Sequence, residues 1–218
     1  MPVTASEIKY MKPQAVTDGA DNGGRMSRYA VSSGVKNNLF PDVSQAERAA
    51  GLTRYRKLFA KISNDDDLGL LGAVAHLATV TPGDDWVTLF AGTQRDTQGD
   101  LAGPREYGAA VLAADVAAGA TAFDVTLEDS SMAIFATGDG IWLGHVDGAG
   151  ALVGEYHENV TVATAGATVT VTLDAGDQVA GDHLVADGSV AASVLALGDV
   201  AGSLAAWTET SGAGTYDE

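Results

Sequence analysis

Glu155-Tyr156-His157-Glu158, with His145 and Asp147 shortly before it, is the only cluster in the chain whose residue types resemble site chemistry. Imidazoles and carboxylates are the usual carriers of metal binding and of general acid–base work. In a strand, however, Glu155 and His157 share one face while Tyr156 and Glu158 share the other, so the four do not converge by themselves. That alternation favours a polar strand edge over a site. Three aspartates downstream, Asp174, Asp177 and Asp182, supply the oxygen ligands that suit calcium, but without an EF-hand pattern. Asn22-Gly23-Gly24 has the glycines of a phosphate-cradling loop without the Gly-Lys-Ser/Thr ending or a preceding strand, and reads as a turn. No Gly-x-Ser-x-Gly elbow is present, and cysteine is absent, which removes thiolate metal sites, cysteine nucleophiles and disulfides. The residues assign no catalytic, metal-ligating or cofactor-binding position, and the expected class is non-enzymatic.

The elements that would position these residues are short strands. Between Ala118 and Val179 they are punctuated by Gly-Asp turns and contain no lysine or arginine. Phe123, Val125 and Leu127 alternate with Asp124 and Thr126, as in a strand with one buried face. Met132–Phe135 and Ile141–Leu143 flank a turn at Gly138-Asp139. Val160–Val162 and Val169–Leu173 predict a hairpin around Ala165-Gly166 with threonines outward, and Val190–Leu197 supplies another strand. About five strands of this length predict a small β-barrel or sandwich, because closure or a second sheet would protect their edges. Gly-Asp recurs at 138–139, 176–177, 181–182 and 198–199 with irregular spacing. Glycine there provides positive φ, and aspartate bonds the turn backbone.

The earlier part of the chain reads differently. Residues 1–43 carry Gly19, Gly23, Gly24 and Gly34 among small polar residues with no sustained period, which predicts an extended arm anchored by Met26, Tyr29, Val31, Leu39 and Phe40. Ser44 and Glu47 form a capping box for one short helix that Gly51 ends. The run that follows fits either period, with Leu58, Ala60 and Ile62 as a half-buried strand preferred. Asn64-Asp65-Asp66-Asp67 is the turn into a further apolar run, and Trp86–Phe90 is expected as a third strand of a small antiparallel sheet. Arg54, Arg56, Lys57 and Lys61 concentrate on this stretch, either as a solvated strand face or as a docking strip for an acidic surface. The expectation is a mainly β chain: arm (1–43), charge-neutral assembly domain (44–105) and acidic β-domain (106–218). The assembly interface would be carried by Met26, Tyr29, Leu39, Phe40, Arg54, Arg56, Lys57 and Lys61.

Charge is segregated along the chain. All twelve basic residues lie at or before Arg105, matched there by twelve acids, so everything from Glu106 holds 29 − 12 = 17 acids and no base. The formal charge of −17 therefore belongs to the second part. Such a surface repels nucleic acid and anionic membrane and favours a basic partner. No apolar run reaches membrane-spanning length, and the first residues form no hydrophobic signal core.

The stretches DNGGRMS, VKNNLFPDVSQAERAAGLTRYRKLFAKI and DDWVTLFAGTQRDTQ, in that order, resemble the N-terminal region of a group of virion structural proteins of tailed phages and prophages. The resemblance covers about the first hundred residues. It implies a tail, baseplate or neck component that assembles in the host cytoplasm with other virion proteins and copies of itself in a symmetric ring. It implies no catalytic or ligand residue. Relatives in that group continue past AGTYDE, so the resemblance leaves open whether the chain is complete at Glu218, a truncated product or an incomplete chain being the alternatives. An acidic β-domain lining a DNA conduit would keep DNA from adhering to its wall. Two other readings stay open. One is a host-recognition or carbohydrate-binding module using Trp142, Tyr156 and Trp207; the other is a tail hydrolase using Glu155 and Glu158 as paired carboxylates.

Overall fold

In the computed structural model, which describes residues 3–64, 68–83 and 85–200, the β-branched and aromatic runs form the framework of the chain. The protein is mainly β, with 37% of the described residues in strands against 8% helical. The described strands are β1 (Ile8–Ala15), β2 (Gly23–Ala30), β3 (Phe59–Ile62), β4 (Leu70–Ala75), β5 (Ala109–Leu112), β6 (Ala122–Thr126), β7 (Ile141–Val146), β8 (Leu152–His157), β9 (Thr161–Ala165), β10 (Thr168–Thr172), β11 (Val190–Ser193) and β12 (Leu195–Val200). The single described α-helix is α1 (Gln45–Ala50). The chain divides into two compact units, one from the described residues of Met1–Ala73, Gly92–Gly103 and Leu197–Glu218, the other from Val74–Ala91 and Pro104–Ala196. Strands β4 and β12, each of which spans a boundary of that division, form a separate two-stranded ladder.

The first unit is built on an antiparallel three-stranded sheet of order β2-β1-β3. Residues 8–15 and 23–30, expected in an extended arm, are its strands instead. Their period is hidden because the β1–β2 register shifts twice, between Met11 and Pro13 and between Pro13 and Ala15, and each shift resets which side chains face inward. Helix α1 forms where its capping box lies: Ser44 Oγ accepts from Glu47 N–H, Glu47 Oε2 accepts from Ser44 N–H at 2.8 Å, and Gly51 ends it at φ 71°. The expected turn at Asp65, Asp66 and Asp67 lies outside the described residues. Trp86–Phe90 is not a strand. Leu89 forms an isolated bridge to Tyr107 and Trp86 remains exposed, and among the described residues no strand is assigned alongside this run.

The second unit holds a seven-stranded sheet of order β8-β7-β11-β5-β6-β10-β9. It is open, with β8 and β9 as its edges, so the expected barrel is not closed. Cover for the main core comes partly from the connections: Val116, Ile134, Val160 and Val179 lie outside the strands and are buried with Val125, Ile141, Leu143 and Val171. The central strands are covered on both faces. Ile141 and Leu143 of β7 join that main core, while Trp142, pointing the other way, joins Ala109, Val190, Ala192 and Val194 under Leu77, Ala78 and Val80. This explains the near-continuous apolar sequence of β7 and β11, which alternation alone does not fit.

A tight crossing fixes the β7–β8 pair. Gly144 lies opposite Gly154, and a Cβ on Gly144 would run into the Val153 carbonyl, while one on Gly154 would run into the Leu143 carbonyl and the Trp142 indole. Gly144→Ala is expected to lower the unfolding free energy by about 1–3 kcal/mol through overpacking, measured by urea titration; an unchanged midpoint would refute the close approach.

Candidate functional site

The eight residues expected at an assembly interface fall into different environments. Met26 is buried and lies opposite Pro13, so it anchors its own unit. Tyr29 is exposed, and Leu39 and Phe40 are half-buried. Arg56 packs its guanidinium 5.6 Å from the Phe40 ring centroid, donates to the Leu39 carbonyl at 3.0 Å and pairs with Asp18 at 2.7 Å. Arg54 pairs with Glu47 at 2.6 Å. Lys57 binds the Asp96 carboxylate and donates to the carbonyls of Gly24 and Asp96, both at 2.8 Å. Burial works against the Asp96 carboxylate, yet Lys57 and the Thr93 N–H together hold it below its ordinary range. Three of the four expected docking cations are thus tied into their own unit. Only Lys61, on β3, lacks such a partner among the described residues. Spacing along the chain does not reveal this, because Asp18 and Asp96 are remote from the cations they hold.

Glu155 and His157 do share a face of β8, as the alternation requires, and the structure adds two groups to them. His157 Nδ1 lies 2.8 Å from Asp177 Oδ2, and His183 Nε2 lies 2.8 Å from Glu155 Oε1. Glu155 also accepts from the Ala180 N–H at 2.8 Å and from the Gly181 N–H at 3.4 Å. His157 and His183 are buried, at 3% and 5% exposure. The result is a chain of groups, Asp177, His157, Glu155, His183, that clasps the 174–183 segment onto edge strand β8. Burial pushes the Glu155 carboxyl up, but His183 and the two backbone donors outweigh it and hold it below its ordinary range; the His157 hydrogen bond does the same for Asp177.

Ionised carboxylates only accept, so the partner nitrogens carry the protons. His157 therefore carries a proton on Nδ1 and His183 one on Nε2. His157 Nε2 then faces Glu155 Oε2 across 3.3 Å without a hydrogen bond. Long-range ¹⁵N–¹H correlation spectra of singly protonated rings should show these two opposite tautomers; the same tautomer at both would contradict the clasp.

The remaining candidates separate. Among the described residues no three histidine, aspartate or glutamate side chains are grouped to hold a metal ion. Asp174 accepts from Ala175 N–H, Asp177 serves His157, and Asp182 accepts from Ala118 N–H at 2.9 Å. Asp139 accepts from Ala136 N–H and pairs with Arg105 at 2.6 Å, beside Gly138 at φ 92°. Tyr156 is exposed on the opposite face of β8 from the clasp. Trp142 is buried and stacks on His76, with ring centroids 4.6 Å apart, and burial lowers the pKa of that imidazole. Trp142 is therefore not offered to a glycan, and Trp207 lies outside the described residues. Asn22 of the Asn-Gly-Gly stretch is buried, donating to the carbonyl of Tyr55 at 2.8 Å and to the Gln98 side chain at 3.2 Å, a structural use of that turn.

His183 is the member of the clasp that sequence reasoning misses. It follows the Gly181-Asp182 turn, carries no periodic signal, and reaches Glu155 only because Val116 and His183 form a bridge between two connections. No family model matches the chain, and no curated protein matches it. Among the described residues no helix is long and apolar enough to cross a membrane.

Proposed function

We propose that the protein is a non-enzymatic structural subunit of a tailed-phage virion, a tail, baseplate or neck component that assembles with copies of itself and other virion proteins into a symmetric ring. The observation that carries this reading is the ordered resemblance of the first hundred residues to such proteins. Charge segregation supports it, since a neutral first part and a base-free second part divide assembly from an acidic surface. The clasp supports it as well. His157 and His183 are buried and each faces a carboxylate of the same chain, an arrangement that secures a connection rather than presenting a reactive group. Its place is the virion, after assembly in the host cytoplasm.

Native mass spectrometry and electron microscopy of the purified full chain test the reading. Closed rings of fixed copy number are expected. A monomer at every concentration, alone and with the other virion proteins, would overturn it.

A further inference from the structure

The three-stranded sheet of the first unit is cationic in a way the sequence conceals. Its strands IKYMKPQA, GGRMSRYA and FAKI carry Lys9, Lys12, Arg25, Arg28 and Lys61 and contain no aspartate or glutamate. Arg54, Arg56, Lys57 and Arg105 have carboxylate partners, whereas none of the five on the sheet has one among the described residues. Lys9 and Arg28 are exposed and the other three are half-exposed.

Lys9 lies directly opposite Lys61 in the β1–β3 register. Opposed residues of an antiparallel pair stand side by side on one face, and like charges there are destabilising. An acidic group bound between them would remove that penalty. Tyr10 and Tyr29 are exposed on the same strands, Tyr10 by alternation on the opposite face from Lys9, and the Arg28 guanidinium sits 5.4 Å from the Tyr29 ring centroid on edge strand β2. Tyrosine and arginine together are typical of protein interface centres.

We infer that this sheet is a docking surface for the acidic, base-free part of a second copy of the chain, so that copies associate head to tail. The inference rests on the ring reading above and names its contact. Charge complementarity selects the occupant: everything from Glu106 onward supplies 17 acids and no competing base. A head-to-tail contact is heterologous, and it closes into a ring when its rotation permits. Net repulsion between copies does not forbid it, because at physiological salt the Debye length is about 8 Å and contact pairs outweigh distant charge.

The test uses the full chain, by analytical ultracentrifugation or mass photometry across a salt series. Wild type is expected to dissociate as salt rises. The double variant Lys9→Glu/Arg28→Glu is expected to weaken association by about tenfold or more at low salt. Its melting temperature should stay close to wild type, because Lys9→Glu sets a carboxylate opposite Lys61, offsetting the Arg28–Tyr29 contact that is lost, and no ion pair among the described residues is broken. Mixed with wild type below one equivalent, the variant should shorten assemblies, since it still offers an acidic surface but cannot dock. Assemblies indifferent to salt and to the variant would overturn this surface while leaving the ring reading standing. A monomeric wild type would remove both. Loss of binding to a double-stranded DNA probe in the variant, with self-association unchanged, would make the sheet a nucleic-acid surface and overturn the inference.

Discussion

Leu143→Ala is expected to lower the unfolding free energy of the second unit by about 2–5 kcal/mol, the range for a fully buried leucine whose neighbours close in only partly. Leu143 is 0% exposed in the middle of β7, which is hydrogen-bonded on both sides by β8 and β11. The strand cannot shift to fill the void, because its opposite face holds Trp142 in the second cluster and Gly144 is wedged against Gly154. A site constrained on both faces collapses poorly, so the upper half of the range is expected. Leu152→Ala on edge strand β8, where the side chain is 58% exposed, is the control and should stay within about 0.5 kcal/mol of wild type. Urea unfolding followed by Trp142 fluorescence reads both. A loss below about 1 kcal/mol for Leu143→Ala would mean that the two-faced packing of β7 is absent.

That same strand shows where sequence reasoning reaches and where it stops. Ser44 and Glu47 are readable as a cap because both partners lie within one turn, and the 161–172 hairpin because its turn and its alternation are contiguous. Phe123, Val125 and Leu127 are legible for the same reason. The β5 strand Ala109–Leu112 is not. It has four residues and no polar alternation, and it lies in the interior of the sheet between β11 and β6. The β1–β2 pair is hidden by register shifts that scramble the period. Trp86–Phe90 has the composition of a strand but forms only an isolated bridge at Leu89, and pairing is a property of two segments. Short strands announce that their edges need protection, but not the means: the connections bearing Ile134, Val160 and Val179 help to cover an open sheet. Of the clasp, alternation reveals the shared face of Glu155 and His157, while Asp177 reads along the chain as a Gly-Asp turn residue or a calcium ligand. Among the described residues, five cations without a carboxylate partner sit on β1, β2 and β3, whereas the 54–57 run finds carboxylates that include residues remote in sequence.

Glu155→Ala is expected to release the 174–183 segment and to cost on the order of 3 kcal/mol, because it strands several donors at once. Ala180 N–H, Gly181 N–H and His183 Nε2–H all end on its carboxylate, and the connection they belong to carries buried Val179, which belongs to the main core. Glu155→Gln separates charge from shape: the amide oxygen can still accept, so a smaller loss is expected, with hydrogen exchange accelerated first at Ala180 and Gly181. The pH dependence follows from the carboxylates. Glu155 and Asp177 sit below their ordinary values of 4.5 and 3.8 in the folded protein, so folding favours their ionised forms. Their contribution is complete above those ordinary values and is lost as pH falls through the lowered folded ones. Wild type should therefore lose melting temperature below about pH 4, whereas Glu155→Gln should lose less over the same interval because one of several depressed carboxylates, Asp96 among them, is gone. Equal acid sensitivity in both proteins would show that the clasp is not what acid opens. A parallel Asp177→Asn variant measures the share of the dependence that belongs to the His157 end of the clasp.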